Sequence, residues 1–261
     1  MKTWLKCSVF ATAIAIAGCG ASPTGRHQLL LFSDNDMSAL GAQSFGQMKQ
    51  QQPISKDSKI NAYVQCVSKA LIEQLPAQLE FSEWEVVVFD SDQVNAFALP
   101  GGKIGVYTGL LKVANNSDQL AAVIGHEIAH VLAEHGNERL SQSQLADAGI
   151  KLTGVAIGSS GYAQYQQTAL AALGLGVQYG VLLPYGRTQE SEADILGLEI
   201  MAKAGFDPQQ SLQLWKNMAK VAGGQQPPEL LSTHPSHDSR IQDLSAKIQI
   251  LPHYPVSKPD C

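Results

Sequence analysis

Residues 121–136, AAVIGHEIAHVLAEHG, place His126, Glu127 and His130 inside a run that is otherwise mostly apolar or small. Such a run packs as a buried helix, and polar groups buried with it need partners. On a helix, positions four apart differ by about 40° of rotation and one turn of rise, so the two imidazoles converge on one point. Two neutral imidazoles plus a carboxylate suit Zn2+, with the fourth tetrahedral position left for water. Glu127, next to the first histidine, reaches that water as general base and later protonates the leaving amine. The spacing is the H-E-x-x-H signature. A structural histidine pair on a polar helix face is the bland alternative, and Val123, Ile124, Ile128, Val131 and Leu132 argue against it.

The third ligand lies elsewhere. A three-histidine extension of the motif needs Gly at 133 and His at 136, where this chain has Ala133 and Gly136. A later helix offers a carboxylate instead. In RTQESEADILG, Glu190 and Asp194 are i and i+4 and share a face. Glu190 suits the metal, and Asp194 suits the N–H of a ligating histidine, whose tautomer it would fix. Glu192 points about 200° away and is the weaker candidate. Glu134, Glu138 and Glu199 read as solvated helix-face charges, and His135 as a capping or surface residue. One zinc ion per chain is expected.

At 261 residues with 44% hydrophobic and 16% charged residues, the chain is globular rather than disordered. No basic stretch interrupts its net charge of −5, which excludes a nucleic-acid partner as the natural reading. Lys2 and Lys6 followed by CSVFATAIAIAG form a signal peptide over residues 1–18. Its end, IAGC, resembles the lipobox of bacterial lipoproteins, which makes Cys19 the lipidation site. An ordinary signal peptide with a chance cysteine is the alternative. By the same resemblance, Gly20 after the cysteine implies the outer membrane, with the protein facing the periplasm. Cys66 and Cys261 are then left as a pair in an oxidising compartment, a possible disulfide whose formation the sequence leaves open.

Residues 19–33 read as a lipidated tether, 34–251 as one domain and 252–261 as a Pro-rich tail. Two helices between Ser33 and Leu75, parted by QQPISKDS, precede a buried strand in WEVVVFD. A Pro-Gly-Gly turn leads to a second strand, Lys103 to Tyr107. Ser117 or Asp118 caps the helix that runs to about Gly136. The Ala- and Gly-rich segment from Leu145 to Leu183 reads as broken helices that either pack or form a lid. Helices follow at about 188–204, ended by Gly205, at 208–221, and at 238–250. The class is α+β, mostly helical, with a small sheet beside the active-site helix.

GHEIAHVLAEHGNERLSQ, RTQESEAD and STHPSHDSRI together resemble the CAAX-prenyl-protease-type family of zinc metallopeptidases, and more closely its soluble periplasmic lipoprotein branch. The resemblance covers roughly Trp84 to Leu244. It implies a zincin-like, gluzincin fold with His126, His130 and Glu190 as ligands and Glu127 as base. It assigns Asp194, Arg187 and Arg240 to the surroundings of the metal. NAFALPGG matches the family's Asn-Ala pair, so Asn95 would contact the substrate backbone. His234 would donate to the developing oxyanion, with His237 close enough in sequence to confuse that assignment. A turn-capping Asn95 and a surface-loop His234 are the alternatives. The implied activity is an endopeptidase acting on polypeptides, misfolded or unassembled envelope proteins, bound along an edge strand at Lys103–Tyr107. A loop histidine, His234 or His237, sitting on the zinc at rest would make the enzyme latent. The rival reading is a zinc-containing, chaperone-like binding module with latent or no proteolytic activity. Oligomeric state and client identity stay open.

Overall fold

The computed structural model describes residues 19–76, 84–160, 164, 166–177, 183–222 and 238–261. In chain order the elements are β1 (Cys19–Ala21), β2 (His27–Leu29), α1 (Asp34–Gln51), α2 (Ser58–Ile72), β3 (Glu85–Phe89), β4 (Ala96–Leu99), β5 (Lys103–Tyr107), α3 (Ser117–Leu132), α4 (His135–Gly158), α5 (Gln166–Val177), α6 (Leu183–Lys203), α7 (Gln209–Ala222) and α8 (Asp238–Ile250). This is a mostly helical α+β fold with a small sheet, of zincin-like type. The chain divides into two compact units, residues 34–133 with 189–261 and residues 1–33 with 134–188.

The larger unit is built on a three-stranded sheet in the order β3–β5–β4, with β3 parallel and β4 antiparallel to β5. Gly101 and Gly102, both at positive φ, make the tight turn from β4 into β5. β5 is therefore the central strand, and the expected substrate edge at Lys103–Tyr107 is corrected: both of its sides are already paired. The strand missed from sequence is β4, whose residues AFAL follow Asn95 and carry no polar alternation. Gly105 of β5 lies under the Phe97 ring, where a Cβ would stand 2.2 Å from the ring.

Asp57 caps α2, accepting hydrogen bonds from the Lys59 and Ile60 amides, an arrangement worth ~1 kcal/mol. Val64, Val67 and Leu71 then recur at helical spacing and are fully buried against Val88, Ile104 and Val106 of the sheet. Each contributes about 1.5–3 kcal/mol of apolar burial. Cys66, on the same helix, is joined to Cys261 with Cα atoms 5.7 Å apart, closing a separation of 195 residues. In the chain-entropy account, a loop of that size is worth about 5 kcal/mol. The tail that this bond holds is further fixed by Lys258, which donates to Asp118 at 2.6 Å.

In the smaller unit, residues 19–33 are not a bare tether. β1 and β2 pair antiparallel, with Cys19 opposite Leu29. Arg26 donates twice to Glu138 of α4, at 2.6 and 2.7 Å. Asn137 and Ser141 of the same helix bond the backbone of Phe32 and Leu31. Glu138 is therefore fully buried rather than solvated, because the hairpin covers it with a guanidinium. Farther along, Gly154 of α4 is buried and faces the Leu170 side chain of α5.

Candidate metal centre

α3 starts at neither of the expected caps. Asn116 is the N-cap, its Oδ1 accepting from the Gln119 amide at 2.9 Å. Asp118, in the first turn, accepts from the Asp207 amide and from Lys258. The helix ends at Leu132 instead of running on to Gly136, because Glu134 takes a left-handed φ of 51° before α4 begins at His135. Nothing in the sequence marks that break, since a non-glycine residue there is strained by ~1–2 kcal/mol.

Along α3, His126, Glu127 and His130 are all buried. The helix meets α6 through two glycines. A Cβ on Gly125 would stand 3.1 Å from the Gly197 carbonyl oxygen, and one on Gly197 would stand 2.9 Å from the His126 amide nitrogen. This backbone contact brings the His126 face within reach of Asp194 and Glu190, one and two turns earlier on α6. The sequence reading passed over both glycines; a glycine directly before His126 and another three residues after Asp194 were the available signal.

The donor atoms form a compact set. His126 Nε2 and His130 Nε2 lie 3.1 Å apart, and the Glu190 oxygens lie 3.3 Å from the first and 3.4 Å from the second. Zinc bonds of about 2.0–2.1 Å in a tetrahedron give edges of roughly 3.3–3.4 Å. The three separations lie close to that figure, the two to Glu190 running to its Oε2 and its Oε1 respectively, so these residues can hold a metal ion. Charge supports the same conclusion. Among the described residues, the buried carboxylates of Glu127, Glu190 and Asp194 lie together with the buried guanidinium of Arg240, an acidic surrounding that favours a cation.

Asp194 Oδ1 stands 3.0 Å from His126 Nδ1, the nitrogen turned away from the other ligands. That contact fixes the tautomer that leaves Nε2 as donor atom. Arg240, from α8, donates to Asp194 at 2.5 and 2.8 Å and lies 3.2 Å from Glu190. Its guanidinium also sits 4.1 Å over the Trp215 ring, and burial, which alone would lower its pKa, is outweighed by Asp194 and Glu190. Burial pushes the His126 pKa down, but the hydrogen bonds of Asp194 and Glu190 win and raise it to about 9. For Asp194, burial pulls upward while His126 and Arg240 pull harder downward, and its pKa falls below the ordinary value. The apolar side chains of Leu198, Met201, Leu214 and Met218 line a small recess beside His126 and Glu127. Such walls lower the local dielectric and strengthen each charge interaction within.

Other expected residues fall elsewhere. Arg187 is exposed near the start of α6, and Arg240 braces the acidic pair as expected of it. Glu192 is buried yet stands outside the donor set, as its angular position required. His135 is fully buried rather than at the surface. Glu199 is half-exposed and paired with Lys203. Asn95 immediately precedes β4, and its Oδ1 is buried with no hydrogen-bond partner among the described residues. His234 and His237 lie outside the described residues.

Residues 45–248 match the profile of Peptidase family M48. Among relatives, the mitochondrial metalloendopeptidase OMA1 of Bos taurus is 35% identical over 240 residues, covering 86% of this chain and 45% of its own length. The mitochondrial metalloendopeptidase OMA1 of Saccharomyces cerevisiae is 36% identical over 175 residues, 64% of this chain and 48% of its own. The beta-barrel assembly-enhancing protease of Yersinia pestis is 29% identical over 231 residues, 87% of this chain and 47% of its own. The chain spans about half the length of the relatives it matches. Since the matched stretch contains every donor of the metal cluster and most of the sequence, the chain belongs to peptidase family M48.

Proposed function

We propose that this protein is a zinc-dependent endopeptidase of the bacterial envelope, lipid-anchored at Cys19 to the outer membrane and facing the periplasm. Its substrates are misfolded or unassembled polypeptides. The observation that carries the reading is the set of three donors at tetrahedral spacing with the Glu127 carboxylate one residue from the first of them. The relatives' names, metalloendopeptidase and beta-barrel assembly-enhancing protease, support the reaction class.

A bound zinc ion would supply Lewis acidity, polarising the scissile carbonyl and lowering the pKa of a water molecule. His126, His130 and Glu190 hold it, and Asp194 keeps the His126 ring in its working tautomer. Glu127 takes the proton of the attacking water and delivers it to the departing nitrogen. An extended substrate adds as a strand to β4, which among the described residues pairs only with β5. Asn95, at the head of β4, offers its buried Oδ1 to a substrate N–H. His234 keeps the oxyanion-donor role inferred from sequence.

The test is hydrolysis of unfolded casein by the full chain. Activity abolished by phenanthroline, with Glu127→Gln retaining zinc but losing about 10³-fold in rate, supports the reading. Retained turnover in Glu127→Gln removes that residue from the base role. Client binding without hydrolysis by the zinc-loaded wild type favours the chaperone-like module instead.

A further inference from the structure

Between Lys151 and Arg187 the chain runs for 35 residues without Asp, Glu, Lys, Arg or His, where its average composition would place about five or six charged residues. The same run holds Tyr162, Tyr165, Tyr179 and Tyr185, four of the chain's seven tyrosines. It includes the end of α4 and the whole of α5, both in the smaller unit. On α4, Leu145, Leu152 and Val155 are 59%, 72% and 71% exposed, and on α5 Leu173 is 36% exposed. Leu145, Leu152 and Val155 are seven and three residues apart and share one helix face. Gly154, which packs on Leu170, lies on the opposite face, so the seam between the two helices leaves this aliphatic face outward.

We propose that this face rests in the lipid bilayer, as a second and non-covalent membrane contact. The proposal builds on the lipid-anchor reading given above. Protein partners tolerate charged rims, whereas hydrocarbon penalises any charge, and the run has none. Tyrosines are the side chains that settle at the headgroup level, and Lys151 and Arg187 at its two ends can snorkel outward. The anchor arrives in the same unit: Cys19 opens β1, and the β1–β2 hairpin is clamped to α4 by Arg26 and Glu138. Leu145 lies seven residues beyond Glu138, about 10 Å along the helix axis. No helix among the described residues is long and apolar enough to cross a membrane. α5, with 12 residues, reaches only ~18 Å against a hydrocarbon core of about 30 Å. The contact is therefore interfacial rather than spanning. Two points of attachment hold the smaller unit in one orientation on the membrane, where a single anchor would leave it free to turn.

With Cys66 and Cys261 paired, Cys7 removed with the signal peptide and Cys19 acylated, a new cysteine is selectively labelled. Full-length Leu152→Cys and Val155→Cys carry an environment-sensitive fluorophore, with Lys216→Cys on the larger unit as reference. Each is placed with phosphatidylethanolamine–phosphatidylglycerol vesicles containing doxyl-labelled lipid, and casein hydrolysis confirms an intact fold. Doxyl quenching at 152 and 155 at least threefold above that at 216, with loss of quenching by aqueous iodide, is the expected result. Equal doxyl quenching at all three positions, or full iodide access at 152 and 155, overturns the proposal. Iodide shielding that appears without vesicles and grows with protein concentration overturns it in favour of a second copy on that face. Mass spectrometry of the N-terminal peptide reads lipidation separately. A chain without acyl groups defeats the anchor, and the same labels placed in a Cys7→Ser, Cys19→Ser background then report whether the α4 face meets lipid.

Discussion

The metal cluster of the larger unit and the α4–α5 helices of the smaller one are opposite solutions to placing a helix. In the cluster, the buried charged side chains are cross-linked: Arg240 binds Asp194 and approaches Glu190, and Asp194 also holds His126. Among α4 and α5, apolar residues face outward and the run is without charge for 35 residues. The contrast teaches that the first region obtains its geometry from inside the protein, through partners that leave few alternatives. The second has its aliphatic face unspent on the protein's own core and takes its definition from what lies outside.

The comparison can be broken most forcefully at Arg240. Arg240→Ala leaves buried carboxylates without their cation and should cost about 3–5 kcal/mol in the metal-free chain, read as a drop in denaturation midpoint. Zinc should recover a large part of that loss, because the dication replaces the missing charge. A midpoint unchanged by the substitution would mean that the cluster is not held by its charges.

Next in size is the cross-link of the larger unit. Cys66→Ser with Cys261→Ser should lower stability by about 2–5 kcal/mol, with reduction of the wild type giving the same change in urea unfolding. The glycine contact tests geometry instead of charge. Gly197→Ala would push its Cβ onto the His126 backbone, separating α3 from α6 and weakening zinc binding by about 10–100-fold, measured by competition with a chelator. A gain in affinity would show that the two helices have slack at their crossing.

The smallest effect sharpens the other side. Leu152→Gln removes an exposed aliphatic side chain, so thermal unfolding without lipid should move by no more than about 0.5 kcal/mol. A loss of several kcal/mol would mean that this face packs within the protein after all.

Much of the site could be read along the chain, for a reason of range. Helical periodicity is local: His126 with His130, and Glu190 with Asp194, share a face whatever surrounds them. The apolar run around the histidines likewise announced burial, and Gly205 announced the end of α6, where it adopts φ +83°. The charge-free stretch was legible too, though the sequence reading weighed it as packing helices or a lid.

What the chain could not disclose depends on partners far away in sequence. Glu138 looks like any solvated glutamate until Arg26, 112 residues earlier, closes on it. β5 looks like an edge strand until β3 and β4 flank it, and the bond between Cys66 and Cys261 stays open until their Cα atoms stand 5.7 Å apart. The backbone break at Glu134 and the touching glycines of α3 and α6 belong to the same class. Local sequence sets which face of an element is polar, because that is decided by bond geometry within a few residues. Which faces meet is decided by packing summed over the whole core, and only the folded chain performs that sum.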